Sequence, residues 1–121
     1  MFGVFSTKGF KNHVKQAQKI LDENWTGSYT KPSSNLYPHQ WNWDSGFIAI
    51  GYAHYNEDRA MQEIRSLFEH QWKNGMLPQI VFNAQALGNY FPEPDFWQVP
   101  NGMLTSGITM PPLHAIACLH I

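Results

Sequence analysis

The chain has 121 residues and a formal net charge of −1, and it is 43% hydrophobic and 15% aromatic but only 14% charged, against roughly 25% charged in an ordinary globular domain. The length suits one domain or part of one; a near-neutral chain without a basic run excludes the electrostatic footprint of a nucleic-acid binder; and a lone cysteine, Cys118, excludes an internal disulfide and speaks against a thiolate metal site. A small protein needs charge to cover itself, so few charges beside many aromatics imply that part of the surface faces another surface or lines a pocket.

Residues 1–10 lack the basic and apolar regions of a secretory leader. No apolar run is long enough to span a membrane. The expectation is a soluble, cytoplasmic protein. Over residues 10–25, Phe10, Val14, Ala17 and Leu21 recur at helical spacing, while Lys11, Lys15, Lys19 and Asp22 form a wet side. Gly27 follows as a stop signal. Residues 30–38 are punctuated by Pro32, Ser33, Ser34, Asn35 and Pro38 and read as loop.

The run Phe47 to Ala53 is apolar nearly all round and predicts a helix buried on most sides. Asp44 or Ser45 is placed to cap its start. Asn56 caps a third helix, with Glu57 and Asp58 set well for its dipole. Ala60, Met61, Ile64, Leu67 and Phe68 form its buried stripe, and Arg59, Glu63 and Arg65 face outward. Residues 77–109 are broken by Pro78, Pro92, Pro94, Pro100, Gly88, Gly102 and Gly107 yet keep Tyr90, Phe91, Phe96 and Trp97. A loop this long is uncommon unless it is functional. Thr109 then caps a last helix with Pro111 in its first turn, in which Leu113, Ala115, Ile116, Ala117 and Leu119 look buried nearly all round. The chain stops at Ile121 inside that pattern, which suggests truncation. The fold class expected is all-α, with layered helical hairpins and a long aromatic loop.

The chemistry concentrates in Tyr37-Pro38-His39-Gln40-Trp41-Asn42-Trp43-Asp44, where a loop enters a helix. Sugars present apolar C–H faces and hydroxyl rims. Aromatic rings stack on the faces, and Asp and Gln bind the hydroxyls. The competing reading makes Trp41 and Trp43 core aromatics and Asp44 a helix cap. Gln79 either faces a ligand or follows a turn into a packed segment. Thr105 and Ser106 are hydroxyl donors or plain caps. Glu93 and Asp95 sit too close on a Pro-broken loop to flank a glycosidic bond. His70 follows Glu69 without a second His at zinc-site spacing. No cofactor motif is present.

Three segments together carry a resemblance: residues 36–51 (LYPHQWNWDSGFIAIG), 71–82 (QWKNGMLPQIVF) and 105–115 (TSGITMPPLHA). The chain from about Ala17 to its end resembles glycoside hydrolase family 63, in particular its mannosylglycerate hydrolase-like members. The resemblance implies that residues 1–121 are the N-terminal portion of an (α/α)6 barrel catalytic domain, truncated at its C-terminal end. It implies inverting hydrolysis by an Asp acid and a Glu base lying beyond Ile121, so no catalytic residue is expected here. Asp44 matches a carboxylate that holds sugar hydroxyls in the glycone subsite. Tyr37, Gln40, Trp41 and Trp43 match positions forming or supporting that subsite, and Gln79 falls where the family has a polar residue. Met110 departs from the pattern, standing where relatives carry a sugar-contacting Gln. The implied partner is a small saccharide, a mannosyl or glucosyl glycerate among the candidates, without metal, cofactor, nucleic acid or membrane. Uncovered apolar faces would allow self-association. The alternatives are a non-catalytic carbohydrate-binding module and a degenerate helical interaction module.

Overall fold

Apolar spacing and proline placement decide where the helices run. The computed structural model describes residues 7–121, so the first part of the stretch read for a leader lies outside the described residues. In chain order the elements are α1 (Thr7–Asn24), β1 (Gln40–Trp41), α2 (Asn42–Ala53), α3 (Glu57–Phe68), β2 (Ile80–Val81), two 3₁₀ turns (Ala84–Asn89 and Pro94–Trp97) and α4 (His114–His120). The all-α class expected from the sequence holds in the main: the described residues are mostly helical, with one small two-stranded sheet added. No helix among the described residues is long and apolar enough to cross a membrane.

Two cores form. In the first, Ala49 and Tyr52 of α2 meet Ala60 and Ile64 of α3 and Ala117 of α4, with Leu21 and Trp25 packed against them. In the second, Ile80, Phe82 and Trp97 gather Trp41, Leu87, Tyr90, Val99 and Ile108. The second core organises the proline-broken segment. β1 pairs antiparallel with β2, Gln40 opposite Val81 and Trp41 opposite Ile80, and Val81 bridges to Thr105. Ser106 makes a double tie: its N–H donates to the Ile80 carbonyl at 3.0 Å, while its Oγ accepts from the Ile80 N–H at 3.0 Å. Trp72 Nε1 donates to Thr105 Oγ1 at 3.1 Å. Of the two hydroxyls read as ligand donors or caps, Ser106 therefore ties its loop to β2 and Thr105 ties it to the Trp72 segment. A Cβ at Gly107 would overlap the Gln98 carbonyl, so this position accepts only glycine at the close approach of two loop segments.

Several expectations are corrected. Asn56 does cap α3, accepting the Arg59 N–H at 3.2 Å. Glu63 and Arg59, however, do not face outward. Glu63 has 0% exposure, and Arg59 lies over the Trp25 ring at 5.2 Å while its guanidinium donates to Asp22 at 2.6 Å. Met61 and Phe68, placed in the stripe, are exposed. α2 begins earlier than expected: Trp41 is its N-cap residue and makes no side-chain cap bond. Neither Asp44 nor Ser45 caps it, because β1 runs directly into the helix and Asn42 N–H donates across to the Gln79 carbonyl at 2.9 Å. Phe47 is exposed. α4 begins at His114, without a Thr109 cap. Pro112 bars Pro111 from helical geometry and removes a donor, so the helix cannot reach back to Thr109. Ile116 and Leu119, expected to be buried, are exposed, and Phe10 and Val14 of α1 are exposed too.

Candidate functional site

The junction of β1 and α2 builds a concave wall. Trp41, the last residue of β1, is held in extended geometry by its pairing with Ile80. Its indole packs edge-on against Tyr37 and against Trp97, each at 5.5 Å between ring centres. Asn42, next along, is locked by its side-chain amide donating to the Pro78 carbonyl at 2.9 Å. The helix turns from there, and Asp44 falls in its first turn. N–H groups there lack intrahelical partners and the helix dipole favours an anion. Burial pushes the Asp44 carboxyl above its ordinary range, while its own backbone N–H draws it down in part. Pro32, Tyr37, Trp41, Asp44 and Met110 together line a hollow of about 300 Å³.

Asp44 and Pro32 also line a second, adjoining hollow of about 220 Å³, completed by Lys31, Asn24, Trp43 and Phe47 among others. Trp43 stacks tilted on Phe47 with ring centres 5.5 Å apart. Asp44 thus stands between two aromatic surfaces, Tyr37 and Trp41 on one side, Trp43 on the other. A carboxylate flanked by rings in a hollow of this size suits a saccharide: it accepts hydroxyl donors while the rings cover C–H faces. A wider groove of about 420 Å³ beside α1, lined by Phe10, Val14, Ala17, Leu21 and Tyr55 among others, is mostly apolar and has no carboxylate in its wall, so it offers little to a polyol.

The remaining sequence-proposed residues sit elsewhere. Gln40 is fully buried behind the wall. Its amide donates to Ser45 Oγ at 3.1 Å and to the Glu63 carbonyl at 3.0 Å, and its Oε1 accepts from Ser66 at 3.0 Å. Gln79 is half-buried; its backbone serves the strand ladder, accepting from Asn42 and donating to Ile108 at 2.8 Å, and its side chain is not among the groups lining either hollow. Four of the proposed groups therefore converge (Tyr37, Trp41, Trp43, Asp44), and two do not.

Sequence reasoning missed Pro32 and Lys31 in the walls and Glu63 behind them. Ser45 Oγ donates to Glu63 Oε1 at 2.6 Å and the Thr30 N–H donates to Oε2 at 2.7 Å. Burial raises the Glu63 carboxyl to about 7, against the downward pull of its hydrogen bonds from Ser45, Thr30 and Gln40. The signal was present: 60, 63, 64 and 67 share one helical face. His39, in the same motif, is buried with its Nδ1 accepting the Asn83 N–H at 3.0 Å, and burial lowers its pKa to about 4. It packs edge-on between Phe82 and Tyr90 and is a neutral core residue. Among the described residues, no cluster of His, Cys, Asp or Glu could hold a metal ion.

Comparison with known proteins identifies the family. The family profile described as the mannosylglycerate hydrolase MGH1-like glycoside hydrolase domain matches residues 37–121. The chain is 54% identical to the mannosylglycerate hydrolase of Rubrobacter radiotolerans over 112 residues, 88% of this chain and 25% of that protein. It is 44% identical to the glucosylglycerate hydrolase of Mycolicibacterium hassiacum over 113 residues, 88% of this chain and 25% of that one. It superposes on the crystal structure of a GH63 mannosylglycerate hydrolase from Thermus thermophilus in complex with Tris and D-glycerate, with a TM-score of 0.75 and 46% identity, over 85% of this chain and 24% of that chain. The chain therefore spans about a quarter of the length of these relatives.

Proposed function

This chain belongs to the mannosylglycerate hydrolase MGH1-like family of glycoside hydrolases, and from that premise we propose that its 121 residues form part of an (α/α)6 catalytic domain and grip the glycone of an α-linked mannosyl or glucosyl glycerate. The observation that carries the reading is the convergence of Tyr37, Trp41 and Asp44 on one hollow, with Trp43 on Asp44's other side. Asp44 accepts from sugar hydroxyls, Trp41 and Tyr37 cover a sugar face, and Trp43 closes the adjoining side. Gln40 supports the wall from behind, and Gln79 serves through its backbone at the strand edge.

Inverting hydrolysis needs two carboxyls flanking the scissile bond, far enough apart to admit a water. Asp44 is the only carboxyl among the described residues that lines the hollow. In this reading the acid and the base come from residues beyond this chain, and Asp44 binds. Both sugars are named because the relatives include a mannosylglycerate hydrolase and a glucosylglycerate hydrolase. The exposed apolar surfaces of α1 and α4, including Phe10 and Leu119, are in this reading covered by further helices or by a second copy.

The test is tryptophan fluorescence of the chain titrated with mannosylglycerate and with glucosylglycerate. Saturable binding of either, weakened at least tenfold in Asp44→Asn at unchanged melting temperature, is the expected result. Equal binding by wild type and Asp44→Asn would remove Asp44 from the subsite, and glycosidase turnover by this chain alone would place the acid and base within it.

A further inference from the structure

We propose that Glu63 is the positioning residue of this site: buried behind the wall, it fixes where Asp44, Trp41 and the Lys31 and Pro32 rim stand without touching ligand itself. The inference rests on the reading of the hollow given above. Glu63 lies in the middle of α3 with 0% exposure. Its carboxylate and backbone hold three separate segments. Ser45 Oγ donates to Oε1 at 2.6 Å, the Thr30 N–H donates to Oε2 at 2.7 Å, and Gln40 Nε2 donates to the Glu63 carbonyl at 3.0 Å. Each of those residues is adjacent in sequence to a residue of the walls: Ser45 follows Asp44, Gln40 precedes Trp41, and Thr30 precedes Lys31 and Pro32.

The hydrogen bonds run one way. Ser66 donates to Gln40 Oε1, the Gln40 amide donates to Ser45 Oγ, and Ser45 donates to Glu63. The Gln40 orientation is fixed at both ends, since a backbone carbonyl can only accept and so must face the NH₂. A chain of donors ending on a carboxylate is cooperative. Altering the terminal acceptor therefore disturbs the two groups that donate to it, Ser45 Oγ and the Thr30 N–H, while the Glu63 carbonyl still holds the Gln40 amide. Glu63 is not paired with a cation among the described residues. Its titratable neighbours are Tyr29 from the loop and Tyr52 from α2. Arg59 stands over the Tyr52 ring and is bonded to Asp22. Burial raises both phenols, so neither changes charge between pH 6 and 8, whereas Glu63, raised by the same cause to about 7, does.

Glu63→Gln keeps the shape and removes one acceptor, so Ser45 and the Thr30 N–H cannot both be served. The experiment compares wild type, Glu63→Gln and Ser45→Ala in the same chain. It follows the Trp41 indole and Asp44 carboxyl resonances, amide exchange at Thr30, and mannosylglycerate affinity from pH 6 to 8. In Glu63→Gln the expected result is shifted Trp41 and Asp44 signals, faster exchange at Thr30, affinity down at least tenfold, and loss of the wild-type pH dependence between 6 and 8. Ser45→Ala, which cuts one link and leaves Glu63 in place, shifts the same two signals and weakens affinity about threefold, and it carries the test if Glu63→Gln does not fold. A folded variant with wild-type signals, affinity and pH profile would overturn the assignment. Signals that move in a chain where even wild type binds neither mannosylglycerate nor glucosylglycerate would leave the positioning role standing and refute the sugar reading instead.

Discussion

Replacing Glu63 by Gln changes the pH dependence of folding in a direction that can be worked out in advance. The carboxyl is raised by burial from its ordinary 4.5 to about 7, so between those values the folded state holds a proton that the unfolded state has released. Stability from this group is fully present below pH 4.5 and is lost as pH rises through 7. The difference of about 2.5 pH units corresponds to about 3 kcal/mol. His39, lowered by burial to about 4, acts with the opposite sign: its contribution is present above its ordinary 6.5 and is lost as pH falls through 4. His114, also lowered, works with His39, and Asp44, also raised, works with Glu63. The wild-type curve alone is therefore flattened by cancellation, and the difference between wild type and Glu63→Gln isolates the one group. Near pH 4.5 both side chains are neutral and nearly isosteric, and the gap is about 1 kcal/mol or less. By pH 8 the wild type has lost about 3 kcal/mol relative to the variant. Urea unfolding followed by tryptophan fluorescence at pH 4.5, 6, 7 and 8 measures the gap. Parallel curves would show an unshifted carboxyl. A gap moving the other way would show a carboxylate stabilised as the ion, and either result would refute the reasoning.

Three further outcomes are expected. Gly107→Ala forces a Cβ onto the Gln98 carbonyl and lowers stability by about 3 kcal/mol by moving the loop under Trp97; a denaturation midpoint within error of wild type would contradict the packing. Asn56→Ala removes the acceptor of the Arg59 N–H and costs about 1 kcal/mol in the same assay. Met110→Gln places a donor and an acceptor in the hollow wall where a thioether offers almost neither, so affinity for mannosylglycerate rises about fivefold, the equivalent of about 1 kcal/mol for one neutral hydrogen bond.

Helix existence is legible wherever period and punctuation agree. The Asn56 cap with Glu57 and Asp58 behind it locates α3, and the rings and acid of residues 37–44 locate the wall. Boundaries fail where a neighbour supplies what the sequence lacks. α2 starts at Asn42 because the Gln79 carbonyl, at the entry to β2, satisfies its first N–H, a distant partner that no local pattern announces. α4 starts at His114 because two consecutive prolines outweigh the Thr109 cap signal. Glu63 defeats a reading that weighs its charge above its position: 63 lies on the Ala60–Ile64–Leu67 face, and Ser45, Thr30 and Gln40 supply the partners that a buried carboxylate requires. Gln40 misleads for the converse reason. A polar residue among rings looks exposed until the groups that meet its amide, Ser45, Ser66 and Glu63, arrive from other elements.

In the proposed function the hollow between Trp41 and Asp44 receives a sugar. Heteronuclear spectra recorded during titration with mannosylglycerate test it most directly. Saturable shifts are expected at the Trp41 and Trp43 indoles and at the amides of Asp44 and Met110, with Val14 and Gln18 in the α1 groove unmoved. Shifts confined to the α1 groove would contradict it, as would a silent spectrum at millimolar sugar.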